Sequence, residues 1–417
     1  MHCHRDAYLA LSDAVRTTAE LGEMARRFYP QLCHLLRVSD EQHRVLKDIM
    51  RCRTAALGGH LDVCPHCGHE RPSYNSCLNR HCPKCQWSAC ERWLDERKDR
   101  LLPTHHFHVV FTVPEQLREL FSQNQKLLYA LLFQCATSAL LQLARDQKRL
   151  GAQLGITAVL HTWTRDLRLH PHLHCLVTGG GLNADGQWAS TKPAFLFPSK
   201  VLGKLFQGKF LHALRTLYDK HLLRLNARCQ SLQCPDAFQK LIDKLYRKKW
   251  RPYCKKPLAS AQQVCQYLAR YTHRTAISNR RLLSCDDNTV RFRTRSDRTT
   301  KLGIVAFFRR FLQHVLPTRF VRIRHYGLYA SANVNSRLIQ ARALLQLQKP
   351  DADSATDIGD DKSNNADCNM PDFVKRMMDA FGIDPMKCPV CGSRMLRQKS
   401  IPRQHSLIQT RSPPYPS

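Results

Sequence analysis

Glutamate is missing from most of this sequence. None occurs after Glu119, although the chain continues to residue 417. A downstream Asp–Asp–Glu metal site of the ribonuclease-H-like type is therefore excluded in its usual form. The same absence removes the glutamate that a cupin-type His-x-His site needs. Any metal site in this long downstream region must use other ligands.

Acidic residues as a class are scarce. The chain holds 33 aspartates and glutamates against 65 lysines and arginines, which gives a formal net charge of +32. A charge of this size says nothing about fold, but it indicates a polyanionic partner, with nucleic acid first and an anionic membrane second. So large an excess disfavours the alternative of a basic surface that serves only solubility.

Long apolar runs are also lacking. The first ten residues, MHCHRDAYLA, have no apolar core of the kind found in a secretory signal. The most apolar run, 127–144, lies in a helix expected over 115–150, but polar side chains interrupt it, so we expect a buried helix and no membrane partner.

The 19 cysteines, several in CxxC pairs, favour a reduced cytoplasmic protein with metal sites over a disulfide framework.

Two CxxC pairs near the N-terminus predict a structural zinc site. Four thiolates at this spacing can enclose a tetrahedral Zn²⁺, whereas the alternative is four incidental buried cysteines. Two further candidate ligands lie in the loop between the pairs. The expected ligands are Cys64, Cys67, Cys82 and Cys85, with Cys77 and His81 as the further candidates.

The run HPHLHC, 170–175, predicts a second metal site. Side chains alternate along a strand, so His172 and His174 point to the same face. The preceding run 156–163 is typical of another strand, and a short link centred near Leu167 makes the two strands a hairpin.

His161 is the expected third imidazole of this site. Residues directly opposite each other in an antiparallel pair face the same side, and this turn puts His161 opposite His172 or His174. With no glutamate downstream, Gln263 is the runner-up as third ligand. In the alternative, His161 only packs beside Trp163.

Two basic segments are candidate DNA-binding surfaces. Over 244–256, basic residues interleave with Tyr246, Trp250 and Tyr253, and charge combined with flat rings is typical of a single-strand groove. A solvated charge run is the alternative. The strand expected over 289–295 alternates arginines with other residues, which predicts one wholly basic face. The expected contacts are Lys248, Lys249, Arg251, Arg291, Arg293 and Arg295.

A helix with a defined start follows the first basic segment. Ser260 and Gln263 have the spacing of a capping box, and apolar side chains then recur at helical spacing. Within that stripe, Tyr267 and Tyr271 stand one turn apart on one helix face. Such a stripe is more often core than chemistry, so the pattern alone leaves the role of the two phenols open.

Three segments are expected after residue 330. The first, 331–348, is helical, and the second, 349–372, is an acidic linker whose aspartates, serines and asparagines predict disorder. The third, 373–417, is a tail that contains the CxxC knuckle of Cys388 and Cys391 without an evident second pair.

In combination, these motifs resemble the two-tyrosine HUH transposases of the IS ninety-one type, a rolling-circle insertion-sequence family. The resemblance extends over roughly residues 60–330 and keeps the family's order. The segments that carry it are YNSCLNRHCPKC (74–85), FHVVFTVP (107–114), HTWTRDLRLHPHLHCLVTGGG (161–181), QYLARYTHRTAISNRRL (266–282) and FFRRFL with RIRHYG (307–327).

The resemblance implies an α+β fold with an antiparallel-sheet HUH endonuclease core, RRM- or ferredoxin-like and flanked by helices, after an N-terminal zinc-binding domain. It maps the family's histidine–hydrophobic–histidine motif onto 172–174 and its paired tyrosines onto Tyr267 and Tyr271. The domains then expected are a helical segment (1–57), a zinc-binding domain (58–98) and a catalytic domain (99–330).

The activity implied by the resemblance is nicking and rejoining of single-stranded DNA at insertion-sequence ends, through a 5′-phosphotyrosine. The imidazoles would hold Mg²⁺ or Mn²⁺, with Mn²⁺ bound more tightly because it suits nitrogen ligands better. We expect a bacterial, cytoplasmic protein that is associated with the nucleoid. The sequence does not indicate its oligomeric state. The alternatives are a plasmid replication initiator or relaxase with the same chemistry, and a non-catalytic zinc-bearing DNA-binding protein.

Overall fold

The computed structural model describes residues 19–98, 100–255, 257–258, 263–264, 274–295, 298–347, 378 and 384–404. They form helices and antiparallel strands. The helices are α1 (Leu21–Leu35), α2 (Asp40–Arg51), α3 (Gln86–Lys98), α4 (Arg118–Gln123), α5 (Gln125–Arg145), α6 (Ser199–Asp219), α7 (Pro235–Arg247), α8 (Ile304–Leu312) and α9 (Arg337–Leu347). The strands are β1 (Gly59–Val63), β2 (Glu70–Tyr74), β3 (His106–Thr112), β4 (Ala152–Trp163), β5 (Leu169–Asn183), β6 (Trp188–Ser190), β7 (Tyr253–Cys254), β8 (Leu282–Cys285), β9 (Thr289–Arg295), β10 (Arg298–Gly303), β11 (Ile323–Gly327) and β12 (Leu396–Ile401).

The chain divides into two compact units that do not follow chain order. The first unit draws on 1–86, 277–305 and 357–417, and the second on 87–276 and 306–356. The acidic linker expected at 349–372 lies outside the described residues, and the domain boundaries expected from the sequence stay predictions.

Two small antiparallel sheets and a helical pair build the first unit. The strand orders are β12-β1-β2 and β10-β9-β8. Helix α2 begins with a capping box, in which Ser39 Oγ accepts from the backbone N–H of Gln42 and the Gln42 side chain accepts from the backbone N–H of Ser39. Strand β9 keeps the alternation that its sequence predicts, because Val290 and Phe292 are buried while its arginines are exposed.

A larger antiparallel sheet organises the second unit. Its strands lie in the order β11-β4-β5-β3-β7, with β6 paired to β5. Because side chains alternate along each strand, Phe111, Leu160 and Leu173 enter the main hydrophobic core with α5 and α6. Their neighbours His161 and His172 point to the opposite face of the sheet. That opposite face carries the site described below.

Helix α5 is a core element. By length and composition it could cross a membrane, but 67% of its most apolar window is buried inside the protein. The sequence predicts one continuous helix over 115–150, and this prediction is wrong because the helix breaks at Asn124. The side-chain amide of Asn124 donates to the carbonyls of Leu120 and Arg224, each at 3.0 Å.

The turn between β4 and β5 is held by a residue in a left-handed conformation. Leu167 has a φ of 63°, which costs an L-residue about 1–2 kcal/mol, and its side chain is fully buried. Its carbonyl accepts two hydrogen bonds, from Gln313 Nε2 at 2.7 Å and from His314 Nε2 at 3.1 Å. These contacts fix the turn and, with it, the register of the hairpin.

Candidate functional site

Three imidazoles meet on one face of the β4–β5 hairpin. His161 on β4 lies directly opposite His172 on β5, two residues before His174. One ring nitrogen from each of the three lies within 4.8 Å of the others. The hairpin predicted from the sequence is confirmed, and of the two partners that the sequence allowed for His161 the structure has His172. The ring of His161 also stacks on Trp163, with centroids 4.8 Å apart, so packing and convergence occur together.

Hydrogen bonds orient the two imidazoles of β5. The Nδ1 of His172 lies 2.7 Å from the carbonyl oxygen of His170 and must donate to it. The Nδ1 of His174 lies 2.9 Å from the Nε2 of His108 on the neighbouring strand β3. When the Nδ1 of an imidazole carries the proton, its Nε2 holds the lone pair that can bind a metal.

Burial keeps these imidazoles in the neutral form that metals require. Burial, with the charge of Arg274 acting in the same direction, lowers the pKa of His172 to about 4. The pKa of His174 is lowered as well, first by burial and then by the neighbouring imidazoles. Burial and the nearby Lys255 lower the pKa of His108 to about 3.

The first cysteine cluster is a nearly closed cage in the first unit. Its four Sγ atoms all lie within 4.8 Å of one another, and those of Cys77 and Cys85 are 3.7 Å apart. The backbone N–H of Asn79 donates to the Sγ of Cys77 at 3.5 Å, a contact that favours a thiolate. The members of this first cluster are Cys52, Cys77, Cys82 and Cys85.

The grouping of four cysteines predicted from the sequence is wrong. The pair Cys82–Cys85 belongs to the first cluster, whereas the pair Cys64–Cys67 meets a C-terminal pair, Cys388–Cys391, in a second cluster. The physical reason is that β12 pairs with β1 and brings the C-terminal knuckle to the first pair. Of the two further candidates, Cys77 belongs to the first cluster and His81 to neither cluster of the described residues.

The six basic residues expected to contact DNA are all exposed, but one of their aromatic neighbours is not. Trp250 is buried in the main core against Phe206, so the expectation that its ring faces bases is wrong. Tyr253 is exposed and pairs with Val110 of β3, which in turn pairs with His174. An exposed aromatic ring therefore lies on the histidine face of the sheet.

The two tyrosines singled out by the sequence, Tyr267 and Tyr271, lie outside the described residues, as does the expected N-cap Ser260. The nearest described residues on either side are Val264 and Arg274. Both of these neighbours have defined surroundings in the second unit.

Each end of this stretch is attached near the histidines. Val264 is fully buried in a cluster that includes Leu176, which shares a face of β5 with His172. The carbonyl of Arg274 accepts a hydrogen bond from the buried guanidinium of Arg322 at 3.1 Å. Arg274 is also close enough for its charge to act on the imidazole of His172.

Comparison with known proteins identifies the family. Residues 24–113 match the IS91 family profile described as "Transposase zinc-binding domain", and residues 155–337 match the profile described as "Putative transposase". The chain is 44% identical over 320 residues to "Putative transposase y4qJ" of Sinorhizobium fredii, which covers 75% of this chain and 80% of that relative. It is 28% identical over 383 residues to "Transposase for insertion sequence element IS801" of Pseudomonas savastanoi pv. phaseolicola, covering 88% and 87%. This chain belongs to the IS91 family of transposases.

This transposase is thus a DNA-processing enzyme of an insertion sequence, with a zinc-binding domain toward its N-terminus. The zinc-binding profile spans the first cluster and the pair Cys64–Cys67, but it ends before the pair Cys388–Cys391. The other profile spans the three imidazoles as well as Tyr267 and Tyr271. No solved structure matches the transposase.

The sequence analysis missed Cys52 and His108 as contributors to these sites, and it noted the pair Cys388–Cys391 without finding its partner. Cys52 has no CxxC partner, so no spacing indicates it. The pair Cys388–Cys391 carried a usable signal, because its Cys-Pro-x-Cys-Gly pattern repeats that of Cys64–Cys67, whereas Cys82–Cys85 is followed by glutamine. His108 lies on a predicted strand, but only the pairing of β3 with β5 places it beside His174.

Proposed function

We propose that this transposase nicks and rejoins single-stranded DNA through a 5′-phosphotyrosine during rolling-circle transposition of its insertion sequence. The observation that carries the proposal is the convergence of His161, His172 and His174 within 4.8 Å on one strand face. On this proposal the antiparallel sheet of the second unit is an HUH endonuclease core. The protein acts at the nucleoid, on the single-stranded ends of the element.

The donor set fits a catalytic divalent cation. Three imidazoles suit Mn²⁺ well and leave coordination positions for phosphate oxygens, whereas Mg²⁺ prefers oxygen ligands. We therefore expect either ion to support nicking, with Mn²⁺ bound more tightly. When bound, the cation polarises the scissile phosphate and offsets its negative charge. His172 and His174 would bind the cation through Nε2, because the Nδ1 of each is hydrogen-bonded to another group.

Tyr267 and Tyr271 are the proposed nucleophiles. Their nearest described neighbours, Val264 and Arg274, are both anchored close to the histidine face of the sheet, which supports this assignment. If the helix predicted from the sequence forms between these two residues, its ten steps would rise about 15 Å, a distance that would keep both phenols near that face. The buried Arg322 holds the far end of the stretch through the carbonyl of Arg274.

Nicking exchanges one phosphodiester bond for another. A tyrosine oxygen attacks the phosphorus, the bond to the 3′ oxygen breaks, and that strand leaves with a 3′-hydroxyl after taking up a proton. The phenol loses its own proton, and the 5′ phosphate stays on the tyrosine. Rejoining reverses these steps with a 3′-hydroxyl as nucleophile, so it needs no external energy source. Two tyrosines allow two such transfers in sequence.

Exposed basic residues of both units supply the proposed DNA contacts. In the second unit, Lys248, Lys249 and Arg251 lie just before Tyr253, whose exposed ring can stack on a base. In the first unit, the arginines at positions 291, 293 and 295 form the exposed face of β9 and can contact phosphates. Zn²⁺ in the first cluster is structural, because four thiolates leave no open position for a reacting group.

A covalent adduct is the test of this function. Purified protein with Mn²⁺ and a single-stranded oligonucleotide from its element end should form a protein–DNA adduct that survives denaturing electrophoresis. The Tyr267→Phe/Tyr271→Phe double variant should form none. If that variant still forms the adduct, the tyrosine assignment is wrong.

A second variant tests the assignment of the metal ligands. His172→Ala/His174→Ala should abolish nicking while salt-sensitive DNA binding is largely kept, since the basic contacts lie elsewhere. Retained nicking in this variant would contradict the metal site. If the wild type and both double variants bind DNA but none forms an adduct, the protein would instead be a non-catalytic DNA-binding protein.

A further inference from the structure

The second cysteine cluster joins residues from distant parts of the chain. The Sγ of Cys64 lies 3.4 Å from that of Cys391, and the Sγ of Cys67 lies 3.6 Å from that of Cys388. All four sulfur atoms lie within 4.8 Å of one another. We propose that these thiolates bind a second structural Zn²⁺, which fastens the C-terminal knuckle to the N-terminal zinc-binding region.

The sulfur separations fit a metal cage and not disulfides. A tetrahedral Zn²⁺ with Zn–S bonds of about 2.3 Å holds its sulfurs about 3.8 Å apart. A disulfide would require about 2.05 Å. The contacts of 3.4 Å and 3.6 Å therefore belong with the cage. They also resemble the 3.7 Å between two sulfurs of the first cluster.

The two CxxC knuckles that form the second cluster have the same backbone conformation. In one knuckle the N–H of Gly68 donates to the carbonyl of Cys64 at 2.9 Å, and in the other the N–H of Gly392 donates to the carbonyl of Cys388 at 3.0 Å. Both glycines adopt a left-handed conformation, with φ of 71° and 76°, which L-residues with a side chain rarely adopt. Two such Cys-Pro-x-Cys-Gly knuckles facing each other are the arrangement of a zinc ribbon.

Among the described residues, the C-terminal knuckle has a small apolar core and is held mainly by one strand pairing. The buried apolar cluster here consists of Cys64, Cys388 and Met395, with Cys391 packed against it. Strand β12 pairs with β1, but most of its residues are exposed. The guanidinium of Arg71 adds one hydrogen bond to the carbonyl of Pro385 at 2.6 Å. A core this small needs a metal or cross-link for stability, so binding of Zn²⁺ and docking of residues 384–404 should be one event.

The first measurement is zinc content of the full-length chain, made in a His172→Ala/His174→Ala background so that the imidazoles do not contribute. We expect two Zn²⁺ per chain. Cys388→Ser/Cys391→Ser should lower this to one, and so should Cys77→Ser/Cys82→Ser in the first cluster. Cys234→Ser, at an exposed cysteine outside both clusters, should leave two. Two retained Zn²⁺ after Cys388→Ser/Cys391→Ser would overturn the proposal.

A second measurement needs no variant that could misfold. Cys67 is exposed, as is Cys234, so without a metal both thiols should react with iodoacetamide. In zinc-loaded wild-type protein, mass spectrometry should find Cys67 protected and Cys234 alkylated, and a chelator should release Cys67. Alkylation of Cys67 as fast as Cys234 in the zinc-loaded chain would refute the second site. Neither measurement depends on nicking, so the outcome is independent of the proposed function.

Discussion

The Nε2 of His108 lies 2.9 Å from the Nδ1 of His174, and the two rings are stacked with centroids 5.1 Å apart. A side chain of β3 thus orients an imidazole of β5. In the proposed metal site, His174 donates its Nδ1–H to His108 and keeps its Nε2 lone pair for the cation. His108 is then a positioning residue that acts through His174.

The first prediction concerns this pair. His108→Ala should weaken Mn²⁺ binding by about 10–100-fold, the usual effect of removing a partner that orients a metal ligand. Adduct formation should therefore require more Mn²⁺ but recover at saturating Mn²⁺. His108→Gln, which can still accept the hydrogen bond, should recover part of the affinity. An unchanged Mn²⁺ requirement in His108→Ala would show that the contact does not serve the metal.

Substitution of Arg322 should lower the rate of adduct formation, whereas substitution of His108 should lower the affinity for Mn²⁺. Its buried guanidinium donates to the carbonyl of Arg274, three residues after the proposed nucleophile Tyr271. Arg322→Lys should slow adduct formation at saturating Mn²⁺ with little change in the Mn²⁺ requirement, because it loosens the tyrosine stretch and leaves the imidazoles in place. The exposed Arg309→Lys is the matched control. A shifted Mn²⁺ requirement without a slower rate would contradict this role.

The histidine site was predictable because its determinants are local. The strand period places His172 and His174 on one face, and a short link to the preceding strand brings His161 opposite one of the two. The hairpin pattern alone did not choose between His172 and His174, because the turn that sets the register depends on Gln313 and His314, far along the chain.

The cysteine partners were not predictable from spacing alone. Cys64 and Cys391 are separated by 327 positions and meet only because β12 pairs with β1. The prediction that the ring of Trp250 faces bases was wrong for a related reason. A sequence in which aromatic and basic residues alternate does not show which aromatic side chain is buried. Trp250 enters the core and Tyr253 stays exposed, and only the packing of α6 distinguishes them.

Salt dependence tests the basic segment of the second unit. Each phosphate contact on a single strand contributes about −0.7 to the slope of log K against log salt concentration. Lys248→Gln/Lys249→Gln should therefore weaken binding to single-stranded DNA and make the slope shallower by about 1.4 if both residues contact phosphates. Lys240→Gln, at another exposed lysine, should leave the slope unchanged. Equal slopes for double variant and wild type would exclude these lysines from the DNA path.

The ring of Tyr253 should contribute without affecting salt dependence. Stacking of a base on an aromatic side chain is worth about 1–3 kcal/mol, so Tyr253→Leu should weaken single-strand binding by about fivefold or more. The slope against salt should stay as in wild type, because no charge is removed. Fluorescence anisotropy with a labelled oligonucleotide measures both quantities. Wild-type affinity in this variant would mean that the exposed ring does not meet a base.

Acid should destabilise the second unit through His314. Its Nε2 donates to the carbonyl of Leu167 and its Nδ1 accepts from the hydroxyl of Thr162, and burial lowers its pKa to about 4. An unfolded histidine has a pKa of about 6.5, so the unfolded state binds more protons between these two values. The free energy of unfolding should therefore fall as the pH drops from about 6.5 to about 4, by up to about 3 kcal/mol from this group.

The variant that isolates this effect is His314→Gln. Glutamine can still donate to the carbonyl of Leu167 but does not titrate, so urea unfolding should depend less on pH in the variant than in wild type over this window. Part of the pH dependence should remain, because burial also lowers the pKa of His106 and His325 to about 4. The variant should be the less stable protein at pH 7, and the difference should narrow toward pH 4. Parallel curves would mean that protonation of His314 does not limit the stability of the turn that sets the register of the three imidazoles.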